Sequence, residues 1–302
     1  MVTAGKSCED ATVPEYAFHT VDVFTTSRFG GNPLAVFPDA RGLDTAMMQA
    51  LSAEMNYSET TFVLPPGNSA HTARVRIFNR TSEMPFAGHP NVGTALVLSR
   101  LGLATGPVLR FEELAGLVEV RLSAEEYAEI DAPQPLQLNG NIPVESIAAC
   151  LSIDPDRIRT HVHAPVRASV GVEFVLVEVD TEALAVAAPD IGAYRRCTKA
   201  NADLGDRLSI FFYARDGFNI RSRMFAPLSG TWEDPATGSA NATLAALLLS
   251  LAGDQRLILH AVQGQEMGRR SELMMRAWQS EDGVRASVGG TCVPVFSGTV
   301  TL

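Results

Sequence analysis

Cysteine is scarce and scattered: Cys8, Cys150, Cys197 and Cys292 stand far apart with no CxxC pair. That spacing argues against a disulfide framework and a cysteine zinc site, and it fits a reducing, cytoplasmic setting. No stretch reaches the roughly 18 to 20 apolar residues of a membrane-spanning helix. The opening MVTAGKSCEDATVPEYA has no apolar run of signal-peptide length, so residues 1–16 read as a short flexible leader of a soluble protein. Charged residues make up only 19% of the chain, the formal net charge is -10 and there is no basic run, so the electrostatic footprint of a nucleic-acid binder is missing. A Walker loop and an HExxH pair are also missing, so no nucleotide or metal is implied. What is present is apolar bulk. At 302 residues and 46% hydrophobic, the chain can build one large core or two ordinary ones, and its partners are expected to be small molecules.

AFHTVDVFT, from Ala17 to Thr25, and LAVFP read as strands on either side of the turn-rich SRFGGNP. Asp44 is placed to N-cap a helix carrying Leu43, Met47, Leu51 and Met55 at four-residue spacing, and Asn56 suits its left-handed end. Strands follow at Glu59 to Leu64 and at RVRIFNR. In MPFAGHPNVGTALVLSRLG, Pro90 suits a first helical turn, and Val92 to Leu101 are apolar almost all round, which requires burial on every side. VLRFE, LVEVRL and YAEIDAP add short strands. The second half repeats this order: helical VESIAACL, strands GVEFVLVEV, LSIFFYA and FNIRSRMFAP, and then a second all-apolar helix from Asn241 to Leu251. ELMMRAWQ, VRASV and VPVFSGTVTL close the chain as strands. Few helices among many short strands give an α+β protein with halves at 17–131 and 132–302, the last strand being able to return to the first half.

The two all-apolar helices align. Glu83, Pro85, Gly88, Asn91, Ala95, Leu98 and Leu101 recur, each 150 residues later, as Glu233, Pro235, Gly238, Asn241, Ala245, Leu248 and Leu251. RIF, ending at Phe78, and RMF, ending at Phe225, nearly keep the register upstream. Identities at one offset without a gap indicate a pseudo-symmetric duplication. The copies differ where side chains can act: Met84 corresponds to Asp234, and His89 to Ser239. A glycine just before a helix lets a ligand approach the backbone, and the free N–H groups of a helix start bind carboxylate or an enolate-like oxygen. Two such starts facing each other would clamp an anionic substrate.

Several side chains carry chemistry if the fold gathers them. Glu59, in NYSETTFV, has no lysine or arginine within three residues; it is either a half-buried general base with a raised pKa or a solvated strand-end glutamate. His89 either polarises a substrate group or caps its helix. Asp234 and Ser239 bracket the second turn, where ordinary turn and cap chemistry is the competing account. Asn32 in GGNP is a substrate contact or a turn residue. The arginines of QGQEMGRRS bind an anion or decorate a solvated loop. His161 and His163 in THVHA share one face of an expected exposed strand and lack an evident third metal ligand.

At these residues the chain resembles the PhzF-like phenazine-biosynthesis isomerases, within the wider diaminopimelate-epimerase-like fold. VDVFTTSRFGGNPLAVF, MNYSETTFV, FAGHPNVGTA, EDPATGSA, QGQEMGR and VGGTCVPVFSG stand as family blocks in family order. The resemblance implies two similar domains, each a β-barrel-like shell around a central helix, an active site between them and a homodimer. It implies Glu59 as general acid or base, His89 and Asp234 as partners in proton transfer and substrate binding, and Ser58, Gly88, Gly238 and Ser239 as substrate contacts. Racemases of this fold use facing cysteines at the two helix starts. Here His89 and Ser239 occupy those places, which disfavours a two-thiol mechanism.

The expected activity is therefore a cofactor-independent isomerisation, without metal, in which a proton is shifted on a small carboxylated metabolite. The alternatives are an amino-acid racemase or epimerase working without cysteines, and a metabolite-binding protein that kept the fold without catalysis.

Overall fold

The computed structural model describes residues 14–123, 126–204 and 207–302. Of the expected leader, residues 1–13, with Cys8, lie outside the described residues. The first strand begins at Glu15, two residues before the apolar alternation that marks it in the sequence.

In chain order the first half supplies β1 (Glu15–Val23), β2 (Asn32–Phe37), α1 (Thr45–Met55), β3 (Glu59–Leu64), β4 (Ala73–Phe78), the short β5 (Glu83–Met84), α2 (Gly88–Arg100), β6 (Val108–Glu113), β7 (Gly116–Leu122) and β8 (Tyr127–Asp131). The second supplies β9 (Gln137–Asn141), α3 (Val144–Leu151), β10 (Val166–Ser169), β11 (Glu173–Glu178), α4 (Thr181–Val186), α5 (Ile191–Ala200), β12 (Ile210–Asp216), β13 (Asn219–Phe225), α6 (Gly238–Ala252), β14 (Arg256–Gln263), β15 (Ser271–Ser280) and β16 (Gly283–Thr301).

Strands β1, β2, β3, β4, β6, β7, β8 and β16 pair in that order, and β16 pairs back onto β1, closing a barrel around α2. The remaining strands continue from β16 through β15, β14, β13, β12, β11 and β10 to β9, wrapping α6. Bonds from Gln134 N–H to Val170 C=O and from Leu136 N–H to Val284 C=O carry the chain across the gap between β10 and β16. β16 serves both shells: its 19 residues pair first with β15, then with β8, then with β1.

Each central helix is the crossover between two parallel strands, β4 to β6 through α2 and β13 to β14 through α6. Parallel neighbours require such a long connection. Here it runs inside the shell, which is why both helices are apolar on every side. Along β14 the burial alternates strictly, with Leu257, Leu259, Ala261 and Gln263 turned inward. α6 buries Leu244, Leu247, Leu248 and Leu249, each worth about 1.5–3 kcal/mol of apolar transfer. α2 lies so close to β1 and β2 that a Cβ on Gly93 would sit 2.5 Å from Leu34 Cδ2 and 2.8 Å from Val23 Cγ2, so any larger residue would force those buried side chains to shift. Outside the shells, α3, α4 and α5 cover the outer face of β11 and β12, and α1 covers Phe37, Phe62 and Phe78.

Asp44 accepts from Met47 N–H at 2.8 Å and Asn56 takes a left-handed φ of 54°, so α1 begins and ends at the expected residues. Its buried face is different. Met48, Leu51 and Ser52 are inward while Met47 is 38% exposed, because four-residue steps wind around a 3.6-residue helix and Met47 falls off the core side. α6 starts at Gly238, three residues before Asn241, since its first turn is small and polar and shows no apolar period. THVHA is a bend rather than a strand: His163 uses Nδ1 on Ala164 C=O and Nε2 on the Tyr213 hydroxyl, both at 2.8 Å. Among the described residues no group of three His, Cys, Asp or Glu side chains could hold a metal ion. Among the described residues no helix is long and apolar enough to cross a membrane.

Candidate functional site

The starts of α2 and α6 meet head to head between the two shells. A Cβ built on Gly88 would lie 3.5 Å from Ser239 N and 3.6 Å from Gly238 Cα. The N-cap residues are Ala87 and Thr237, and neither makes a side-chain cap bond. Both helix starts thus present uncapped N–H groups and the positive end of a helix dipole to one place. A cleft of about 300 Å³ opens there. Ser58, Glu59, Gly88, His89, Asp234, Gly238 and Ser239, dispersed over the sequence, all line it.

Glu59 enters from the first residue of β3 and His89 from the first turn of α2. Their side chains are 16% and 6% exposed, and His89 Nε2 stands 3.3 Å from Glu59 Oε2. Both atoms are shut off from solvent without an aligned hydrogen-bond partner among the described residues. Burial, reinforced by the charge of Asp234 and opposed by Arg80, pushes the Glu59 carboxyl up to about 8. Burial pushes His89 down to about 3. At neutral pH the contact is therefore between a neutral imidazole and a largely protonated carboxyl, and although it has ion-pair geometry it is not an ion pair.

Asp234 is buried at the second turn. Burial raises it to about 6, while hydrogen bonds from Thr237 and Asn32 hold it down and Glu233 adds repulsion. The Thr237 hydroxyl donates to Oδ2 at 2.6 Å, and the Asn32 amide donates to Oδ1 at 2.9 Å and to Ala236 C=O at 3.0 Å. Ser58 Oγ in turn donates to Asn32 Oδ1 at 3.1 Å. Asn32 is fully buried and joins Ser58 of one shell to Asp234 of the other, so it is neither a plain turn residue nor a lining contact of the cleft. Gln263 braces the same turn, accepting from Thr237 N–H and the Asn241 amide and donating to Asp234 C=O and Thr237 Oγ1.

The arginines of QGQEMGRRS stand outside the cleft. Arg269 donates to Gly30 C=O, Gly31 C=O and Asp22, which pins the loop leading into Asn32, while Arg270 pairs with exposed Glu272. Arg80 does line the cleft, and its guanidinium reaches across the mouth to Gly230 C=O at 2.9 Å. No local pattern marks it, because its partner is 150 residues away.

Several repeated identities turn out to be scaffold. Arg76 grips Glu83 as Arg223 grips Glu233, and each arginine also lies over the phenylalanine two residues on, Phe78 or Phe225. Asn91 and Asn241 both donate to the C=O four residues back, Ala87 or Thr237. Cys150, Cys197 and Cys292 are buried away from the cleft, so no described cysteine lines it.

Residues 21–298 match the family described as phenazine biosynthesis-like protein. An uncharacterized isomerase of Mesorhizobium japonicum is 38% identical, covering 92% of this chain and 96% of its own. A trans-2,3-dihydro-3-hydroxyanthranilate isomerase of Pseudomonas chlororaphis is 35% identical, covering 93% and 98%. Among solved structures, a PhzF-family phenazine biosynthesis protein of Bacillus anthracis superposes with a TM-score of 0.86 at 23% identity, covering 96% of this chain and all (100%) of that one. A hydroxyproline epimerase of Agrobacterium vitis shares the fold at a TM-score of 0.61 and 14% identity, covering 95% and 93%.

Proposed function

The chain belongs to the phenazine biosynthesis-like family, and from that premise we propose that it is a cofactor-independent isomerase that shifts a proton on a small carboxylated metabolite. One observation carries the reading: Glu59, buried and raised to about 8, faces neutral His89 beside two uncapped helix starts. A proton shift leaves the oxidation state of the substrate unchanged, so acid and base side chains suffice for it.

The substrate carboxylate docks on the N–H groups at Gly88 and Gly238, with the hydroxyls of Ser58 and Ser239 as further donors. Glu59, in its ionised form, removes a proton from an activated C–H, and the electron pair moves into the conjugated system as an enolate-like anion. The helix starts stabilise that negative charge as it forms. The Glu59 carboxyl, whose proton exchanges with solvent before it is delivered, then protonates a different carbon, so the double bond migrates and the substrate keeps its composition. A base whose pKa lies near the working pH combines strength with availability. His89, uncharged, donates or accepts a hydrogen bond at the reacting oxygen without competing for the proton. Asp234, ionised above about 6, keeps Glu59 basic through repulsion and is itself held by Asn32 and Thr237.

Incubation with trans-2,3-dihydro-3-hydroxyanthranilate in deuterated water tests the reading. Double-bond migration with solvent deuterium on a new carbon supports it. Inversion at one carbon without migration would make the protein an epimerase, and binding of carboxylated ligands without any exchange would make it a non-catalytic binder.

A further inference from the structure

The internal repeat extends beyond the identities that reveal it. In the first half Ala73 pairs with Phe111 and Arg74 with Glu112; in the second, Ile220 pairs with Ala261 and Arg221 with Val262. The parallel registers coincide, and the next residues along β6 and β14 are Glu113 and Gln263, again 150 apart. Gln263 is the amide that braces the Asp234 turn through four hydrogen bonds. Its counterpart in the first half is a carboxylic acid.

Glu113 lies where it can do the same work. Two residues beyond it, Ala115 N–H donates to Pro85 C=O, which ties the end of β6 to the turn that leads into α2. The stem of Glu113 is partly exposed, but both carboxylate oxygens are cut off from solvent and have no aligned hydrogen-bond partner. An ionised carboxylate there offers only acceptors. A protonated one offers a donor on one oxygen and an acceptor on the other, which is the pattern of the Gln263 amide.

We infer that Glu113 is a positioning residue whose protonated carboxyl braces the helix start carrying Gly88 and His89, as the Gln263 amide braces the start carrying Gly238. The consequence for catalysis rests on the function proposed above; the brace itself does not. Burial pushes Glu113 up to about 8, only partly offset by the Asn91 amide beside it. The charged groups that share its cavity are committed elsewhere or point outward: Arg76 to Glu83, Glu112 to Gly67 N–H, Asn68 N–H and His71, with Arg74 exposed on its strand. None of them supplies a dedicated counter-charge, so ionisation above about 8 strands a buried carboxylate and loosens the α2 start.

Amide hydrogen exchange of the segment 84–91, corrected for the intrinsic pH dependence, reads this directly in the full chain. Wild-type protection there is expected to fall at least about tenfold between pH 6 and pH 9, since the carboxyl is then mainly ionised. Glu113→Gln keeps the protection at both pH values, and Glu113→Ala lacks it at both, with 234–241 unchanged throughout. In the proton-shift assay Glu113→Gln keeps wild-type kcat/KM at pH 7 and loses the alkaline decline. Wild-type protection that is flat to pH 9, or a Glu113→Gln protein that still loses protection at pH 9, overturns the inference. Should Glu113→Ala fail to fold, the Gln variant decides alone. Should no substrate turn over, the exchange data still decide the brace, separately from the proposed activity.

Discussion

Asn32 Nδ2 donates to Asp234 Oδ1 at 2.9 Å across 202 residues of sequence, and through this bond the first shell holds the buried carboxylate of the second. Removing the amide with Asn32→Ala leaves Asp234 Oδ1 short of a donor, at a cost of about 1–3 kcal/mol by chemical denaturation. The amide also holds the Asp234 pKa down, so the variant should show that pKa above its present value of about 6 in the pH–rate profile. An unmoved profile would mean that Asn32 does not tune Asp234.

Glu59→Gln keeps shape and most hydrogen bonding but removes the base. Turnover and solvent-deuterium incorporation should fall by about 10²- to 10⁴-fold with ligand binding retained. Wild-type exchange in this variant would transfer the role of base to Asp234 or His89.

The imidazole of His89, pushed down to about 3 by burial, should stay neutral across the physiological range. Nitrogen-15 spectra of histidine-labelled protein should show no His89 titration between about pH 5 and pH 8, where a free histidine titrates. A midpoint near the ordinary value would mean that the ring carries charge in the resting site.

Glu59, Glu113 and Asp234 all have raised pKa values, so the folded state holds protons that the unfolded chain releases. The sign follows: their contribution to stability is greatest below the unfolded carboxylate range, declines as pH rises, and levels off above about 6 for Asp234 and about 8 for the two glutamates. The melting temperature should be higher at about pH 5.5 than at about pH 8.5, and Glu59→Gln with Glu113→Gln should flatten the slope. A melting temperature that rises over this range would contradict the burial assigned to these groups.

Arg223 is 8% exposed and gripped by Glu233, whereas the repeated pair Arg76 and Glu83 sits at 15% and 19%. Glu233→Ala strands the more deeply buried guanidinium and should cost about 3–5 kcal/mol in denaturant unfolding. Glu83→Ala should cost less, because water reaches Arg76. Equal losses would show that burial does not set the difference.

Much of the fold is legible in local pattern. Asp44 and Asn56 mark the ends of α1, and all-round apolarity marks α2 and α6 as central helices, whereas β14 goes unmarked because exposed Ile258 sits between buried Leu257 and Leu259 and hides the alternation. The 150-residue repeat also places the two glycine starts in correspondence. Local pattern misleads where tertiary packing overrides it: Met47 is displaced from the core by Met48, and THVHA bends because His163 finds the Tyr213 hydroxyl.

By itself, then, the sequence determined the eight strands of the first shell, the central helices, the duplication and the kinds of side chain at its turns, because these depend on spacing along the chain, while β9, β10 and β14 of the second shell appear only in the structure. Only the tertiary structure decided that the starts of α2 and α6 meet so closely that a Cβ on Gly88 would touch Ser239 and Gly238, that Glu59 lies beside His89, and that Asn32 reaches Asp234. The chemistry of the site follows from those encounters. A carboxyl in sequence has no fixed pKa, and it acquires one only when folding strips away its water and chooses its neighbours.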